Sequence, residues 1–357
     1  MSFSSPKKTT VSSSLKNKFN NKKYESINYT NISNNYNKEL DYKSSDNNEY
    51  KYKDKNSGYS FNAGSNNYNH NSSNNNSKLW SAIAPLVDEL FQSTEAATFN
   101  EQYEMSDGTL LDKINPYKYY KGIDVSQWQG DIDWEAVAPN IDYAILRLGV
   151  TYESGTLALD DKFLYNIKEC NRLGIPIGIY YFSRALDENK NEEEIQFILD
   201  SIKDYDIDLP IYRDLEEDCE DQLDSGDYGR NMQINLTKTF CDKLKKSGYL
   251  GGLYINNRYS NSIPEIKGKY PVWTAGGLYY SGEHNNIDFD DMVYGYTYND
   301  DKTDIVKIDV NSDISNFQTT SVGNASSVGI TENNYVDFNF FDKETMDSIL
   351  NHSNVDK

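Results

Sequence analysis

Hydrophobic and polar positions divide the chain into a front with no periodicity and a body with two alternating kinds. Residues 1–78 are a tract of Asn, Ser, Lys and Tyr with few aliphatic positions, including the run Asn74-Asn75-Asn76. Such a composition cannot bury enough apolar surface to offset the entropy of ordering, and predicts a disordered tail. Residues 79–99 read as a short amphipathic helix, within a helix-and-linker segment spanning 79–116. Pro85 and the acidic pair Asp88-Glu89 make it unsuitable as a membrane anchor.

From about residue 117, short β-rich runs recur between charged helical stretches. Candidate strands are Tyr119–Val125, Tyr143–Leu148, Pro176–Phe182, Leu209–Asp214, Gly251–Ile255, Tyr270–Thr274, Met292–Tyr296 and Ile305–Val310. Amphipathic helices are expected at about 160–173, 190–204 and 229–247. In the first of these Phe163, Ile167, Cys170 and Leu173 recur at three- and four-residue steps. Eight strands alternating with helices or loops predict an α/β fold with a parallel barrel. Because the later connections are too short or too polar for full helices, the barrel is expected to be an irregular, TIM-like (β/α) one with about three well-formed helices. It is placed at 117–320, leaving a C-terminal extension at 321–357.

Charge refines this division. Twelve Lys face six acidic residues in 1–78, leaving 23 basic and 50 acidic residues in the rest of a chain whose net charge is −21. An acidic body argues against nucleic acid as a partner, since that affinity rests on cations neutralising phosphates. With a mean hydropathy of −0.78 and no apolar run of roughly 18 residues, no membrane span is expected. Three cysteines, Cys170, Cys219 and Cys241, have no metal-ligand spacing and form no disulfide framework. No apolar segment follows the N-terminal Met1-Ser2-Phe3-Ser4-Ser5-Pro6-Lys7-Lys8, so no conventional secretory signal is read there. Oligomeric state is left open.

In a parallel barrel the chemistry gathers at the carboxyl ends of the strands. Strand one ends in Ile123-Asp124-Val125, strand four in Tyr212-Arg213-Asp214-Leu215-Glu216, and strand eight in Ile308-Asp309-Val310. Side chains at Asp214 and Glu216 share a face, with roots roughly 6.5–7 Å apart. Two neighbouring carboxyls raise one pKa through the other's charge. That split suits glycosidic cleavage, in which one group protonates the leaving oxygen and the other stabilises the cationic centre. Arg213 should point away from Asp214 by strand alternation, and Arg147, ending an apolar strand, should pair with a site carboxylate. Tyr181, Tyr254 and Trp273 are candidates to cover a sugar face.

The ordered series Gly122-Ile123-Asp124-Val125-Ser126, Gln129-Gly130, Ile132-Asp133-Trp134, Tyr143-Ala144-Ile145-Leu146-Arg147, Gly178-Ile179-Tyr180-Tyr181-Phe182, Leu209 through Glu216, Leu253-Tyr254-Ile255-Asn256 and Val272-Trp273-Thr274-Ala275 resembles the glycoside hydrolase family 25 lysozymes of the Chalaropsis type. The resemblance covers about residues 119–318. It implies five main strands and three helices, and hydrolysis of the β-1,4 bond between N-acetylmuramic acid and N-acetylglucosamine in peptidoglycan. It implies Glu216 as general acid, and Asp214 stabilising the reacting centre or the N-acetyl group. Asp124 and Asp309 would be supporting carboxylates, and no metal or cofactor is required. Whether the intermediate is covalent or acetamido-assisted stays open, with the second favoured. The partner would be peptidoglycan glycan strands met outside the cytoplasm, at the cell wall.

Two departures stand out. Gly277 occupies a position where the family usually has an aromatic residue. The seventh-strand stretch Val293-Tyr294-Gly295-Tyr296 lacks a customary Gln, which would remove a polar contact from the cleft. The alternatives are a non-catalytic cell-wall glycan-binding protein on the same barrel, or a chitinase-like enzyme. The latter lacks support because the four residues before Asp214 contain no Asp.

Overall fold

The computed structural model describes residues 50–53, 60–63, 99–104, 108–276, 287–292, 296–298, 305–307 and 316–352. Two compact units are distinguished, one of residues 12–99 and one of residues 1–11 with 100–357. Within the first, Tyr50–Lys53 and Ser60–Ala63 pair as antiparallel strands. The rest of the expected disordered tail at 1–78, and the expected helix at 79–99, lie outside the described residues, apart from Phe99.

Eight strands of the second unit close into a barrel. In chain order they are β1 (Tyr119–Val125), β2 (Tyr143–Thr151), β3 (Ile177–Phe182), β4 (Ile211–Asp214), β5 (Gly251–Asn256), β6 (Val272–Ala275), β7 (Asn316–Asn324) and β8 (Tyr335–Asp342). Neighbours run in sequence from β1 to β7, and β8 lies between β7 and β1 to complete the ring. Strands β1 to β7 are mutually parallel, whereas β8 is antiparallel to both its neighbours. This is the irregular barrel expected, and its first six strands fall within two residues of their predicted starts.

The last two strands differ from the expectation. Tyr296–Tyr298 and Ile305–Lys307 form a separate antiparallel pair, and the barrel is completed by residues farther along the chain. The physical reason lies in the composition of β7. Its alternate positions Asn316, Gln318 and Thr320 are buried and polar, so the strand shows no apolar run, while the 292–310 region carries β-branched and aromatic residues that do. The barrel therefore extends through Asp342. The 321–357 segment supplies part of β7, all of β8 and a helix, α4 (Lys343–His352), rather than a separate extension. The expected linker likewise contains a strand pair, Gln102–Glu104 with Leu110–Asp112, and buries Leu111 and Ile114.

Side chains divide cleanly across the barrel wall. Ile123 and Val125 of β1, with Val336, Phe338 and Phe340 of β8, point outward into the main core. That core includes Phe163, Ile167 and Cys170 of α1 (Phe163–Leu173), Ile195, Ile198 and Ile202 of α2 (Glu188–Ile202), and Phe240, Cys241 and Leu244 of α3 (Asp227–Lys246). Each helix turns its apolar stripe to the sheet, as its spacing dictates. The α1 helix ends at Gly174 with φ 69°, where a residue without Cβ adopts the left-handed cap at little cost. The α2 helix starts on Asp187, whose side chain accepts from the Lys190 N–H.

Inside the ring, Tyr143, Ile145, Tyr212, Tyr254, Trp273 and Phe341 pack together with Met346 of α4. A Cβ on Gly122 would come within 2.3 Å of the Tyr143 ring, so the interior holds large rings only because facing positions are bare. All three cysteines are buried thiols, none of them in a disulfide.

Ending the chain at residue 320 is expected to remove β8 and open the ring between β1 and β7. Circular dichroism and proteolysis should show loss of the cooperative fold, and a stably folded 1–320 fragment would contradict a barrel that needs β8.

Candidate functional site

The carboxyl ends of β1, β3, β4, β5 and β6 and the adjoining ends of β7 and β8 surround a cleft of about 420 Å³. Its walls are Asp124, Tyr180, Asp214, Glu216, Tyr254, Asn256, Trp273, Ala275, Gln318, Ser321 and Asp337. Register explains the convergence. In a parallel sheet, laterally adjacent residues present their side chains to the same face, and Tyr254 pairs with both Asp214 and Trp273. Antiparallel pairing sets Asp337 directly opposite Asp124, where side chains approach most closely.

Asp124 is buried, and its Oδ2 accepts two amide hydrogen bonds, from Gln318 Nε2 at 2.8 Å and Asn339 Nδ2 at 2.7 Å. Each amide is held in turn: Tyr254 OH donates to Gln318 Oε1 at 3.0 Å, and Trp273 Nε1 donates to Asn339 Oδ1 at 2.8 Å. The Trp273 ring forms the cleft floor, with Tyr254 at 4.4 Å, Tyr212 at 5.2 Å and Tyr180 at 5.8 Å between ring centroids.

The carboxyls do not titrate as ordinary surface acids. Burial lifts Asp214 well above the usual carboxylate range, and the charges of Glu216 and Asp124 add to it, while Arg147 opposes. Asp337 is also held well above that range, by burial and by the charge of Asp124, to which it is hydrogen-bonded. Burial raises Asp124 too, but the bonds from Asn339, Gln318 and Asp337 counteract it. Asp214 is 2 % exposed, and its Oδ1 has no hydrogen-bond partner among the described residues. Glu216, the first residue of the loop-to-helix turn before Glu217–Asp221, is half-buried at the cleft.

Of the residues singled out from the sequence, Asp124, Asp214, Glu216, Tyr254 and Trp273 meet in this cleft. Tyr181 does not. Its ring is fully buried against Phe197 of α2, and its hydroxyl lies 2.9 Å from Thr151 Oγ1, on the outer side of the wall. It pairs with Arg213, whereas Tyr180 pairs with Tyr212, so counting alternation from Asp214 selects Tyr180. Asp309, Gly277 and Gly295 lie outside the described residues. Asp337 and Gln318, not singled out from the sequence, also line the cleft. Both were missed because they sit on the two strands placed elsewhere.

The neighbouring cations also follow alternation. Arg213 points outward and is buried, donating to Gln233 Oε1 at 2.9 Å, Thr237 Oγ1 at 3.2 Å and the Ala185 carbonyl at 3.1 Å. Arg147 does not bond a cleft carboxyl directly. Its Nε and one terminal nitrogen each lie 2.7 Å from Asp160 Oδ2, and Asp160 in turn accepts from the Gln127 and Lys162 backbone N–H groups.

A model of the family Glycosyl hydrolases family 25 matches residues 123–328. The chain belongs to this family. Lysozyme M1 of Streptomyces globisporus is 37% identical over 65 residues, 18% of this chain and 21% of that protein. The alignment therefore spans about a fifth of that relative's length. Among solved structures, this family 25 chain is similar to the spore cortex lytic enzyme SleM of Clostridium perfringens, at 24% identity over 62% of this chain and 67% of that one, with a TM-score of 0.45. It is also similar to the catalytic domain of endolysin ply40 from bacteriophage P40 of Listeria monocytogenes, at 17% identity over 65% and 97%, with a TM-score of 0.48.

Arg147→Met should leave the buried Asp160 charge without its guanidinium and destabilise the fold by about 3 kcal/mol in urea denaturation. Asp214 has the opposite consequence. Its folded-state pKa is raised, so between about pH 4 and its own titration the native state binds more protons than the unfolded chain, and stability falls as pH rises. Asp214→Asn is expected to raise the urea midpoint at neutral pH and flatten its decline from pH 4 upward.

Proposed function

We propose that this family 25 chain is a peptidoglycan hydrolase acting at the cell wall, outside the cytoplasm. It cleaves the β-1,4 bond between N-acetylmuramic acid and N-acetylglucosamine. The observation that carries this reading is the meeting of Asp214 and Glu216 with Asp124 and Asp337 in one cleft floored by Trp273 and Tyr254.

Glycosidic cleavage needs a proton for the departing oxygen and compensation for positive charge at the anomeric carbon. Glu216, half-buried at the cleft, is assigned as the general acid. Asp214 is assigned to the reacting centre. A carboxyl oxygen that accepts the N–H of the acetamido group leaves that group's oxygen free to attack the anomeric carbon. Its partnerless Oδ1 supports that pairing. This favours assistance by the substrate's own acetamido oxygen, for which the enzyme has only to orient the group. Asp124 and Asp337, sharing one proton, provide negative charge beneath the site, and the half-buried Tyr180 ring, backed by Trp273 and Tyr254, offers apolar surface to a pyranose face.

Purified peptidoglycan incubated with the protein should yield disaccharide-peptides with reducing muramic ends, identified by mass spectrometry. Loss of the general acid in Glu216→Gln should lower the rate by about 10²- to 10⁴-fold. Equal release by the wild type and this variant would refute the enzymatic reading. Preferential release of chitin oligomers would refute the substrate.

A further inference from the structure

The two acids facing each other across β1 and β8 are not equivalent, and hydrogen bonding from the barrel floor distinguishes them. Like charges directly opposite on neighbouring strands repel, so Asp124 and Asp337 are most stable when they share one proton. Which of them holds it depends on what else each oxygen meets.

Asp124 Oδ2 receives two N–H groups at 2.7 and 2.8 Å. Asp337, hydrogen-bonded to Asp124, receives only one amide contact, from Gln318 Nε2 at 3.4 Å. The short bonds favour the anion on Asp124. They could be reversed if an amide rotated by half a turn and presented its oxygen instead. For Asn339 that rotation is blocked. An indole N–H can only donate, so Trp273 Nε1, 2.8 Å from the Asn339 side-chain oxygen, compels that oxygen to face the floor. The amide nitrogen is left facing Asp124, and its other near contact is the Asp337 carbonyl at 3.5 Å. Gln318 is held by a tyrosine hydroxyl, which can donate or accept and so imposes no direction. The direction of the arrangement is therefore set by Trp273 and Asn339.

We propose that Asn339, oriented by Trp273, is a positioning residue that keeps Asp124 ionised and assigns the shared proton to Asp337. The assignment bears on the reaction under the reading given above. An anionic Asp124 beneath the cleft helps Asp214 retain its proton and stabilises positive charge developing in the sugar. The other ionisable groups facing Asp124 are Arg147 and Tyr143 from β2, Tyr180 from β3, and Asp214 from β4, with Glu216 just beyond it acting on Asp214 and Asp337. Only Arg147 among these favours the anion by its charge, and its nearest contact is Asp160.

The test follows the carboxyl carbons of the full chain by carbon-13 NMR through a pH titration without substrate, so it does not depend on which glycan is cut. Asp124→Asn and Asp337→Asn assign the two signals. In the wild type Asp124 should ionise at lower pH than Asp337. Asn339→Leu, which removes the donor, should move the Asp124 titration upward by about one pH unit. Trp273→Phe, which frees the amide to rotate, should move it in the same direction by less. With an active preparation, the acid limb of the pH–rate profile for Asn339→Leu should rise with the Asp124 titration, and kcat should fall more than KM changes. A merely structural Asn339 would lower Tm without moving that limb. If the wild-type order is reversed, or Asp124 titrates unchanged in folded Asn339→Leu, the proposal fails. Should Asn339→Leu not fold, the wild-type order and Trp273→Phe decide. Failure to cut peptidoglycan with the NMR order intact would refute the substrate reading alone.

Discussion

The antiparallel closure of the barrel by β8 is the constraint on which the site depends. Seven parallel strands deliver side chains to the cleft only at their carboxyl ends, and each of the first six is followed by a connection that must return to the opposite end. A reversed eighth strand enters at the cleft end instead. It brings Asp337 and Asn339 up against Asp124 at adjacent inward positions, and it seals the hydrogen-bonding edges that an open sheet would expose. The same strand turns Val336, Phe338 and Phe340 outward into the main core. Eight residues thus close the sheet, fill part of the core and furnish one wall of the site.

Alternation along the strands separates chemistry from support. Within Tyr212-Arg213-Asp214-Leu215-Glu216, the inward members form the cleft and its floor, while Arg213 bonds the α3 side chains and Leu215 enters a second apolar cluster. The buried guanidinium of Arg213 is therefore insulated from Asp214 by the sheet itself. Arg147 acts at intermediate range. Its ion pair with Asp160 holds it in place, and its positive field still reaches Asp124 and Asp214.

The sequence makes much of this legible, and the illegible parts share a cause. The first six strands and the three long helices announce themselves by apolar spacing, because their burial is apolar. Asp214 and Glu216 are readable because two acids two residues apart at a strand end share a face. Tyr181 was misread for want of the same count, since its neighbour Tyr180 is the inward one. Strands β7 and β8 were hidden because function replaces hydrophobicity at their inward positions: Asn316, Gln318, Asp337 and Asn339 stand where an ordinary barrel would carry aliphatic side chains. Asp337 became visible only through its pairing with Asp124, a long-range relation that no local pattern encodes.

That long-range relation has a bearing on when the site exists at all. Asn339 and Asp124 touch across 215 positions of sequence, and at about 5–20 residues per second a ribosome needs roughly 10–40 s to travel between them. Throughout that interval the nascent chain carries Asp124, and later Asp214 and Glu216, with neither the closing strand nor the amide that holds Asp124. The cleft is assembled only once β8 has been made, so a stalled or prematurely released chain that stops short of β8 is left with its acids exposed to water and their protonation unmatched.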